Sequence, residues 1–211
     1  DQGHLDEALH LLKRAVDIRP DFAAAWMNLG IVQASLGDHQ EAQASYLTAL
    51  QHRAVYPDCL YNLGNLYLEM GDHKAALSTW TNATSLKPTL AVAWTNMLIL
   101  LDAQGQYEPA LDVAQQALQH LATEPAIHFN LANTLGKLSR YEESEKHFLE
   151  ATILDPNNAN YWANLGVLYH RWRRYEKAER TYVHALRLNP SLKSAQENLS
   201  MLLKATGKLK R

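Results

Sequence analysis

The chain repeats itself every 34 residues, and this period constrains its fold more than any other feature. An asparagine marks each period, at Asn28, Asn62, Asn96, Asn130, Asn164 and Asn198. Small residues keep the same spacing at Ala42, Ala76, Ala110, Ser144 and Ala178. Bulky residues keep it at Tyr46, Trp80, Phe148 and Tyr182, with Ala114 as the exception. Repeats of this length are typical of stacked units, so the 211 residues indicate an array rather than a compact two-domain enzyme.

The columns resemble those of tetratricopeptide repeats (TPRs), in which each period is a helix A followed by a helix B. This resemblance implies an all-α fold, a TPR superhelical solenoid of antiparallel helix pairs with a 34-residue period. The predicted parts, together one solenoid domain, are a partial repeat at 1–22 (a lone helix B after a turn at Gly3), TPRs at 23–56, 57–90, 91–124, 125–158 and 159–192, and a C-terminal capping helix at 193–211. The unmatched half-repeats at the two ends predict that the chain is a fragment of a longer protein.

Each column has a predicted packing role. The small residue after the Asn-Leu pair, such as Gly64, lies where helix A meets helix B and permits close approach. The bulky residue of helix B, such as Trp80, fills the remaining space. Gly37, Gly71 and Gly105 are expected to end helix A at the turn into helix B.

The asparagine on every helix A is the most informative feature for function. A carboxamide carries two N–H donors and an acceptor oxygen, so it can bond both the C=O and the N–H of a passing peptide backbone. We therefore predict that all six asparagines bind an extended peptide or a partner protein in the concave groove. The alternative is that each asparagine caps a helix or bridges to the neighbouring repeat, and the sequence leaves both interpretations open.

Two aromatic residues beside the asparagines, Tyr61 and Phe129, are also predicted to contact a partner, although either ring can instead pack internally. A receptor for chaperone tails needs lysines at these groove positions to hold a terminal carboxylate. The first four full repeats have none there, which disfavours that function.

A basic cluster, His170-Arg171-Trp172-Arg173-Arg174, follows the helix A of the last full repeat. Such a cluster can bind phosphate or an acidic peptide, and its tryptophan can stack on a base. We favour a solvent-exposed corner between helices, balanced by Glu176 and Glu179, because the chain has a net charge of only −2.

Composition excludes several classes of function. The 20 Lys+Arg against 22 Asp+Glu argue against a nucleic-acid partner. The single cysteine, Cys59, excludes an internal disulfide and a cysteine metal cluster. The ten histidines include no HExxH pair, and there is no glycine-rich phosphate loop. We therefore expect no catalytic residue, metal or cofactor in this segment, and no membrane contact by it, since it has no run of about 18 apolar residues.

Two sequons for N-glycosylation occur, at Asn82-Ala83-Thr84 and Asn198-Leu199-Ser200. Asn82 falls on a helix B and is expected on an outer face. Asn198 belongs to the asparagine row, where a glycan would obstruct the groove. Asn82 is therefore the predicted glycosylation site.

Several stretches depart from a consensus repeat, namely 60–64, 80–88, 93–102, 131–137, 141–145 and 164–172. Together they resemble the C-terminal repeats of the transmembrane and tetratricopeptide-repeat O-mannosyltransferases that target cadherins, and most nearly the fourth of that family's four members. The resemblance extends from about Leu60 to the C-terminus, and the first 56 residues add only general TPR character.

The resemblance implies a parent enzyme in the endoplasmic reticulum membrane, with a multi-spanning catalytic half that uses dolichyl-phosphate mannose. It places the repeats in the lumen and makes Ser/Thr residues of cadherin-type domains the acceptors. No catalytic residue of that family lies in this segment, so the implied role is recognition of an acceptor or partner. The alternative function is a cytosolic or nuclear protein-binding scaffold, such as the TPR half of an O-GlcNAc transferase.

Overall fold

The computed structural model describes residues 2–208, and of Gln2 the backbone alone. All regular structure in this part of the chain is α-helical. The twelve described helices are α1 (Gln2–Ile18), α2 (Ala23–Leu36), α3 (His39–His52), α4 (Pro57–Glu69), α5 (His73–Leu86), α6 (Ala91–Ala103), α7 (Tyr107–Leu118), α8 (Pro125–Lys137), α9 (Tyr141–Leu154), α10 (Ala159–Arg171), α11 (Tyr175–Leu188) and α12 (Lys193–Ala205).

The even-numbered helices are the helices A and the odd-numbered ones are the helices B. Extensive contacts join α2 to α3, α4 to α5, α8 to α9 and α10 to α11. The predicted all-α architecture of paired helices is therefore confirmed. The turn expected at Gly3 is wrong, because Gly3 lies inside α1. A glycine is tolerated there since it is exposed and a Cβ at this position would contact nothing within 4 Å. The last three residues of the predicted capping segment lie outside the described residues.

Two compact units, Asp1–Ala93 and Trp94–Arg211, divide the chain. Tyr46 and Leu63 belong to the buried cluster of the first unit. Phe148, Leu165 and Tyr182 belong to the buried cluster of the second. The arrangement of all repeats in one solenoid domain stays a prediction.

The small and bulky columns meet as expected. A Cβ placed on Gly64 would lie 2.4 Å from the indole Nε1 of Trp80. A Cβ on Gly30 would lie 2.8 Å from the Tyr46 ring, and a Cβ on Gly166 would lie 2.6 Å from the Tyr182 ring. Glycine is therefore required at these three contacts because the aromatic ring occupies the space of a side chain.

One repeat exchanges the sizes of the two columns. At the positions that correspond to Gly64 and Trp80, α6 carries Leu98 and α7 carries Ala114. Leu98 is 1% exposed and Ala114 is fully buried. The large residue thus stands on helix A and the small one on helix B, which conserves the total side-chain volume.

Every helix A ends in a left-handed residue at the same point of the repeat. The positive φ angles belong to Gly37 (86°), Gly71 (80°), Gly105 (70°), Ser139 (60°), Arg173 (59°) and Gly207 (70°). The N–H of the following residue then bonds back to a carbonyl five residues earlier, as from Asp38 to Gln33 O at 2.9 Å. This bond satisfies a carbonyl that the helix end would leave unpaired.

A side-chain N–H holds several of the turns that lead into a helix A. Trp26 donates to the carbonyl of Pro20 at 2.7 Å, Trp162 to that of Pro156 at 3.0 Å, and Gln196 to that of Pro190 at 2.7 Å. In each case the acceptor lies six residues before the donor. The donor position lies two residues before the asparagine, so this bond positions the start of each helix that carries the asparagine row.

Candidate functional site

The asparagine row occupies one register position on the helices A. Asn28 is exposed, and the other five asparagines are half-buried. Within the second unit this position recurs on α6, α8, α10 and α12, at Asn96, Asn130, Asn164 and Asn198. A half-buried amide can reach a ligand while its stem packs on the helix, as a binding position requires.

Two of the asparagines bond to their own helix rather than to a neighbour. Asn130 Nδ2 donates to the carbonyl of Ala126 at 2.8 Å, and Asn164 Nδ2 donates to that of Asn160 at 2.9 Å. These bonds neither cap a helix nor bridge to another repeat. Each uses one of two N–H groups, so a second N–H and the acceptor oxygen of both amides remain for a ligand.

Asn130 and Asn164 line the same hollow, which we call the groove pocket. It has a volume of about 330 Å³, and its lining includes Ile99, Asp102, Asn130, Lys137, Asn164 and Arg171. Three helices A supply these residues (α6, α8 and α10). The pocket therefore combines amide groups with charged side chains, whereas the sequence predicted amides and aromatic rings alone.

An ion pair forms part of the lining of the groove pocket. Lys137 Nζ lies 2.5 Å from Asp102 Oδ2, which joins α8 to α6. The hydroxyl of Thr134 lies 3.5 Å from Asp102 Oδ1. The two charges of this pair cancel within the pocket.

Arg171 brings a further positive charge to the pocket. Its side chain is exposed, and in residues 2–208 it forms no ion pair. Burial raises the pKa of Tyr182 to about 12, and the nearby charge of Arg171 opposes part of that rise. The sequence placed Arg171 in a solvent-exposed corner, but the structure places it in the lining of the pocket.

The rest of the basic cluster does form a packed corner between α10 and α11. The Trp172 ring stacks on Tyr141 with centroids 5.7 Å apart, and the Arg174 guanidinium lies 5.1 Å from the Trp172 centroid. His170 meets Tyr175 edge to face at 5.9 Å. Trp172 is thus already stacked within the protein.

The two predicted aromatic contacts differ in their surroundings. Phe129 packs beside the buried cluster of the second unit, 4.8 Å from the Tyr161 ring centroid and 5.9 Å from that of Phe148. Tyr61 is half-buried, and its carbonyl accepts a hydrogen bond from Trp80 Nε1 at 3.3 Å. Packing accounts for the position of Phe129, and a contact from either ring to a partner stays a prediction.

The sequon at Asn82 lies on α5. Asn82 is exposed and borders a hollow lined by Leu50, Leu60 and Leu86. Thr84 is 2% exposed, and its hydroxyl donates to the carbonyl of Thr81 at 3.0 Å. The amide that would carry a glycan is accessible, while the hydroxyl of the sequon is covered in the folded chain.

A histidine pair, buried at His128 and half-buried at His147, joins α8 to α9. His128 Nδ1 lies 3.0 Å from His147 Nδ1, and His128 Nε2 lies 2.9 Å from the carbonyl of Ala122. A carbonyl can only accept, so His128 carries its proton on Nε2, and His147 donates to its Nδ1. Burial and then the charges of His128 and Lys146 hold the pKa of His147 below its ordinary value.

Within residues 2–208 no cluster of three metal-binding side chains occurs. In the same range no helix combines the length and the apolar character that crossing a membrane requires.

Two charged residues of the groove pocket, Asp102 and Lys137, carried no functional prediction from the sequence, whereas Arg171 was named there within the basic cluster. Lys137 and Arg171 are 34 residues apart, as are Asp102 and Gly136, so all four occupy matched register positions. Extending the column comparison to the last turn of each helix A would have found them. The asparagine columns alone give no sign of these charges.

Comparison with known families identifies the repeat. A family model described as tetratricopeptide repeat matches residues 21–84 and 123–191. A second TPR model matches residues 1–37. The first model alone accounts for more than half of the chain.

Two curated relatives are similar to parts of the chain. Protein O-mannosyl-transferase TMTC3 from Mus musculus is 26% identical over 169 residues, which is 80% of this chain and 16% of that protein. Protein O-mannosyl-transferase F38B6.6 from Caenorhabditis elegans is 38% identical over 73 residues, which is 35% of this chain and 11% of that protein. The chain therefore corresponds to a small part of the relatives it matches.

The fold also has close counterparts among solved structures. YrrB, described as a TPR protein with an unusual peptide-binding site, superimposes with a TM-score of 0.68 at 22% identity. The match covers 88% of this chain and 96% of YrrB. At this identity the likeness shows the fold alone.

Proposed function

Because this chain belongs to the tetratricopeptide-repeat family, we propose that it recognises an extended segment of a partner protein through the helices A. The observation that carries this proposal is that Asn130 and Asn164 share one pocket and each keep an N–H and an acceptor oxygen. Amides at this repeat spacing bond a peptide backbone with little regard to its side chains. YrrB, which has a similar fold, is described as having a peptide-binding site, and this supports a peptide as the ligand.

The parent protein is, in this proposal, an O-mannosyltransferase of the transmembrane and tetratricopeptide-repeat family. The names of the mouse and nematode relatives support this assignment, as do the sequence stretches that resemble that family. Membership of the fourth branch of the family is part of the proposal. The repeats need no cofactor for recognition, because the mannose donor belongs to the catalytic half.

The repeats are proposed to lie in the lumen of the endoplasmic reticulum and to present cadherin-type domains to the catalytic half. An exposed Asn82 within a sequon suits that compartment. A scaffold in the cytosol or nucleus would share the asparagine row but would have no use for the sequon.

Binding through the amides is tested with a purified extracellular cadherin domain, offered both folded and as overlapping peptides of its sequence. The variant is Asn130→Ala combined with Asn164→Ala, which leaves the helices intact because alanine has the higher helix propensity. We expect at least a tenfold loss of affinity by isothermal titration calorimetry.

The matched control is Asn157→Ala combined with Asn160→Ala, two exposed asparagines near the start of α10. The control should bind as the unaltered chain does. Equal affinity of both double variants would contradict a role for the asparagine row, and no binding to any probe would contradict cadherin recognition.

Lumenal placement is tested in sealed microsomes from cells that express the full-length parent protein. The repeat segment should resist added protease and show an endoglycosidase-sensitive mass shift that Asn82→Gln abolishes. Digestion of the repeats without detergent would contradict lumenal placement. Protection without a mass shift would contradict glycosylation of Asn82 but would leave lumenal placement standing.

A further inference from the structure

The repeat register places an acid and a base on neighbouring helices A of the second unit. Asp102 on α6 and Lys137 on α8 form the ion pair at the side of the groove pocket. Each occupies the end of its helix, and the pairing crosses from one repeat to the next. The base Lys137 is thus paired with an acid of the repeat before it, and this pairing occurs once in the described residues.

One repeat later the base is present but the acid is missing. Arg171 on α10 corresponds to Lys137, and Gly136 on α8 corresponds to Asp102. Both Arg171 and Gly136 line the groove pocket. The pocket therefore contains a cation whose register partner has no side chain.

Packing partly explains why position 136 is a glycine, but it does not explain why position 171 is an arginine. A Cβ on Gly136 would lie 3.2 Å from Leu168 Cδ1 and 3.3 Å from Ser144 Oγ, so a larger residue would press on α9 and α10. Arg171 is exposed and makes no ion pair within the described residues. Its charge is therefore available in the pocket.

We propose that the groove pocket binds the side-chain carboxylate of an aspartate or glutamate in the extended peptide, with Arg171 as the cation that pairs with it. This inference rests on the proposed peptide recognition and adds a preference for an acidic residue. A guanidinium presents two parallel N–H groups that match the two oxygens of a carboxylate. The carboxylate of the ligand thus takes the place of the acid that is absent at Gly136.

The carboxylate that pairs with Arg171 belongs to a side chain within the peptide rather than to the C-terminus of the peptide. The asparagine row continues past the pocket to Asn198 on α12, in the same unit. A peptide backbone held by Asn130 and Asn164 thus has a further amide to meet beyond Arg171's repeat. A terminal carboxylate at Arg171 would leave that amide unused.

A single carboxylate suits the charge of the pocket better than a phosphate group. Lys137 is neutralised by Asp102, which leaves one unmatched positive charge. A phosphoryl group at neutral pH carries roughly two negative charges and favours several basic partners. The available cation therefore matches one carboxylate.

The test is a selection of phage-displayed random decapeptides for binding to the 211-residue chain and to its variants. The unaltered chain should enrich peptides with an internal aspartate or glutamate. Arg171→Ala should still enrich peptides, but without the acidic preference, and Arg171→Glu should shift the preference to lysine or arginine. Arg180→Ala, an exposed arginine outside the groove pocket, is the matched control and should keep the acidic preference.

Titration calorimetry on the most enriched peptide measures how much its acidic residue contributes to affinity. Replacing its acidic residue by the amide should weaken binding to the unaltered chain about tenfold, and should leave binding to Arg171→Ala unchanged. Phosphoserine at the same peptide position should bind no better than aspartate.

The outcomes separate the two proposals. Enrichment of peptides with no acidic preference, with a preference for terminal carboxylates, or with unchanged preference in Arg171→Ala would overturn the carboxylate site and leave peptide recognition standing. Failure of the unaltered chain to enrich any peptide would overturn peptide recognition itself. Circular dichroism of each variant shows whether a loss reflects unfolding.

Discussion

At Ser139 and Arg173 the backbone adopts the left-handed conformation that glycine adopts at the corresponding turns. Their φ angles are 60° and 59°, against 80° at Gly71. A residue with a Cβ is strained in this conformation by about 1–2 kcal/mol. The strain is local, because the neighbouring backbone bonds of these turns are formed as they are at the glycines.

Glycine at either position should therefore raise stability. We expect Ser139→Gly and Arg173→Gly each to increase the free energy of unfolding by about 0.5–1 kcal/mol, since relief of strain exceeds the entropy cost of glycine. The urea midpoint measures the gain. Ser85→Gly, in the helical part of α5, is the control and should lower the midpoint. A lower midpoint for Ser139→Gly as well would contradict the strain argument.

The histidine pair predicts a pH dependence. Burial holds the pKa of His147 below the ordinary value of 6.5, so the unfolded chain binds a proton at a higher pH than the folded chain does. Stability contributed by neutral His147 is present above pH 6.5 and is lost as the pH falls toward the lower folded pKa.

The replacement His147→Gln keeps an N–H donor for His128 and removes the titration. We expect the unaltered chain to lose more stability between pH 7 and pH 5.5 than the variant does, by urea denaturation at both pH values. The acidic groups Glu143 and Glu150 oppose the effect without cancelling it. Parallel losses in both proteins would show that other groups govern this pH range.

Between elements, the contact of a glycine on helix A with an aromatic ring on helix B sets the spacing of each pair. We expect Gly64→Ala to lower the free energy of unfolding by about 1–3 kcal/mol, because its Cβ would lie 2.4 Å from Trp80 Nε1. Thermal unfolding followed by circular dichroism measures the loss.

Gly3→Ala is the matched control for that substitution. Gly3 is helical and has nothing within 4 Å of an added Cβ, so alanine there should leave stability unchanged or raise it slightly. An unchanged melting temperature for Gly64→Ala would mean that Trp80 can move away without cost.

The helix pairs were predictable because a periodic sequence states the same packing rule several times. The contacts of Gly64 with Trp80, and of Gly166 with Tyr182, follow from the columns alone. The charges of the groove pocket were not predictable in this way, because Asp102 and Lys137 meet across two repeats and occur only once. Arg171 looked like part of an exposed basic run until the fold separated it from Trp172 and Arg174.

The whole molecule is organised by contacts between near neighbours in the chain. Among residues 2–208, the extensive contacts join helices adjacent in sequence, such as α8 and α9, whereas helices two apart, such as α8 and α10, touch only slightly. Such arrays lose structure locally when one repeat is weakened.

A substitution in one unit should therefore leave the other protected. Phe148 is 2% exposed in the second unit, and Phe148→Ala should cost about 3–5 kcal/mol there. Hydrogen exchange measured by mass spectrometry should show faster exchange in α8–α11 and unchanged exchange in α2–α5. Leu66→Ala, in the core of the first unit, should give the reverse pattern. A uniform increase across both units would contradict local unfolding.

The left-handed turns also fix the length of each helix A. Pro57 precedes Gly71 by the same number of residues as Pro125 precedes Ser139. One residue inserted into α8 would rotate the side chains beyond it by about 100° and carry Lys137 away from Asp102. This chain should consequently tolerate many exchanges of one amino acid for another, yet reject a gain or loss of a single residue within a helix.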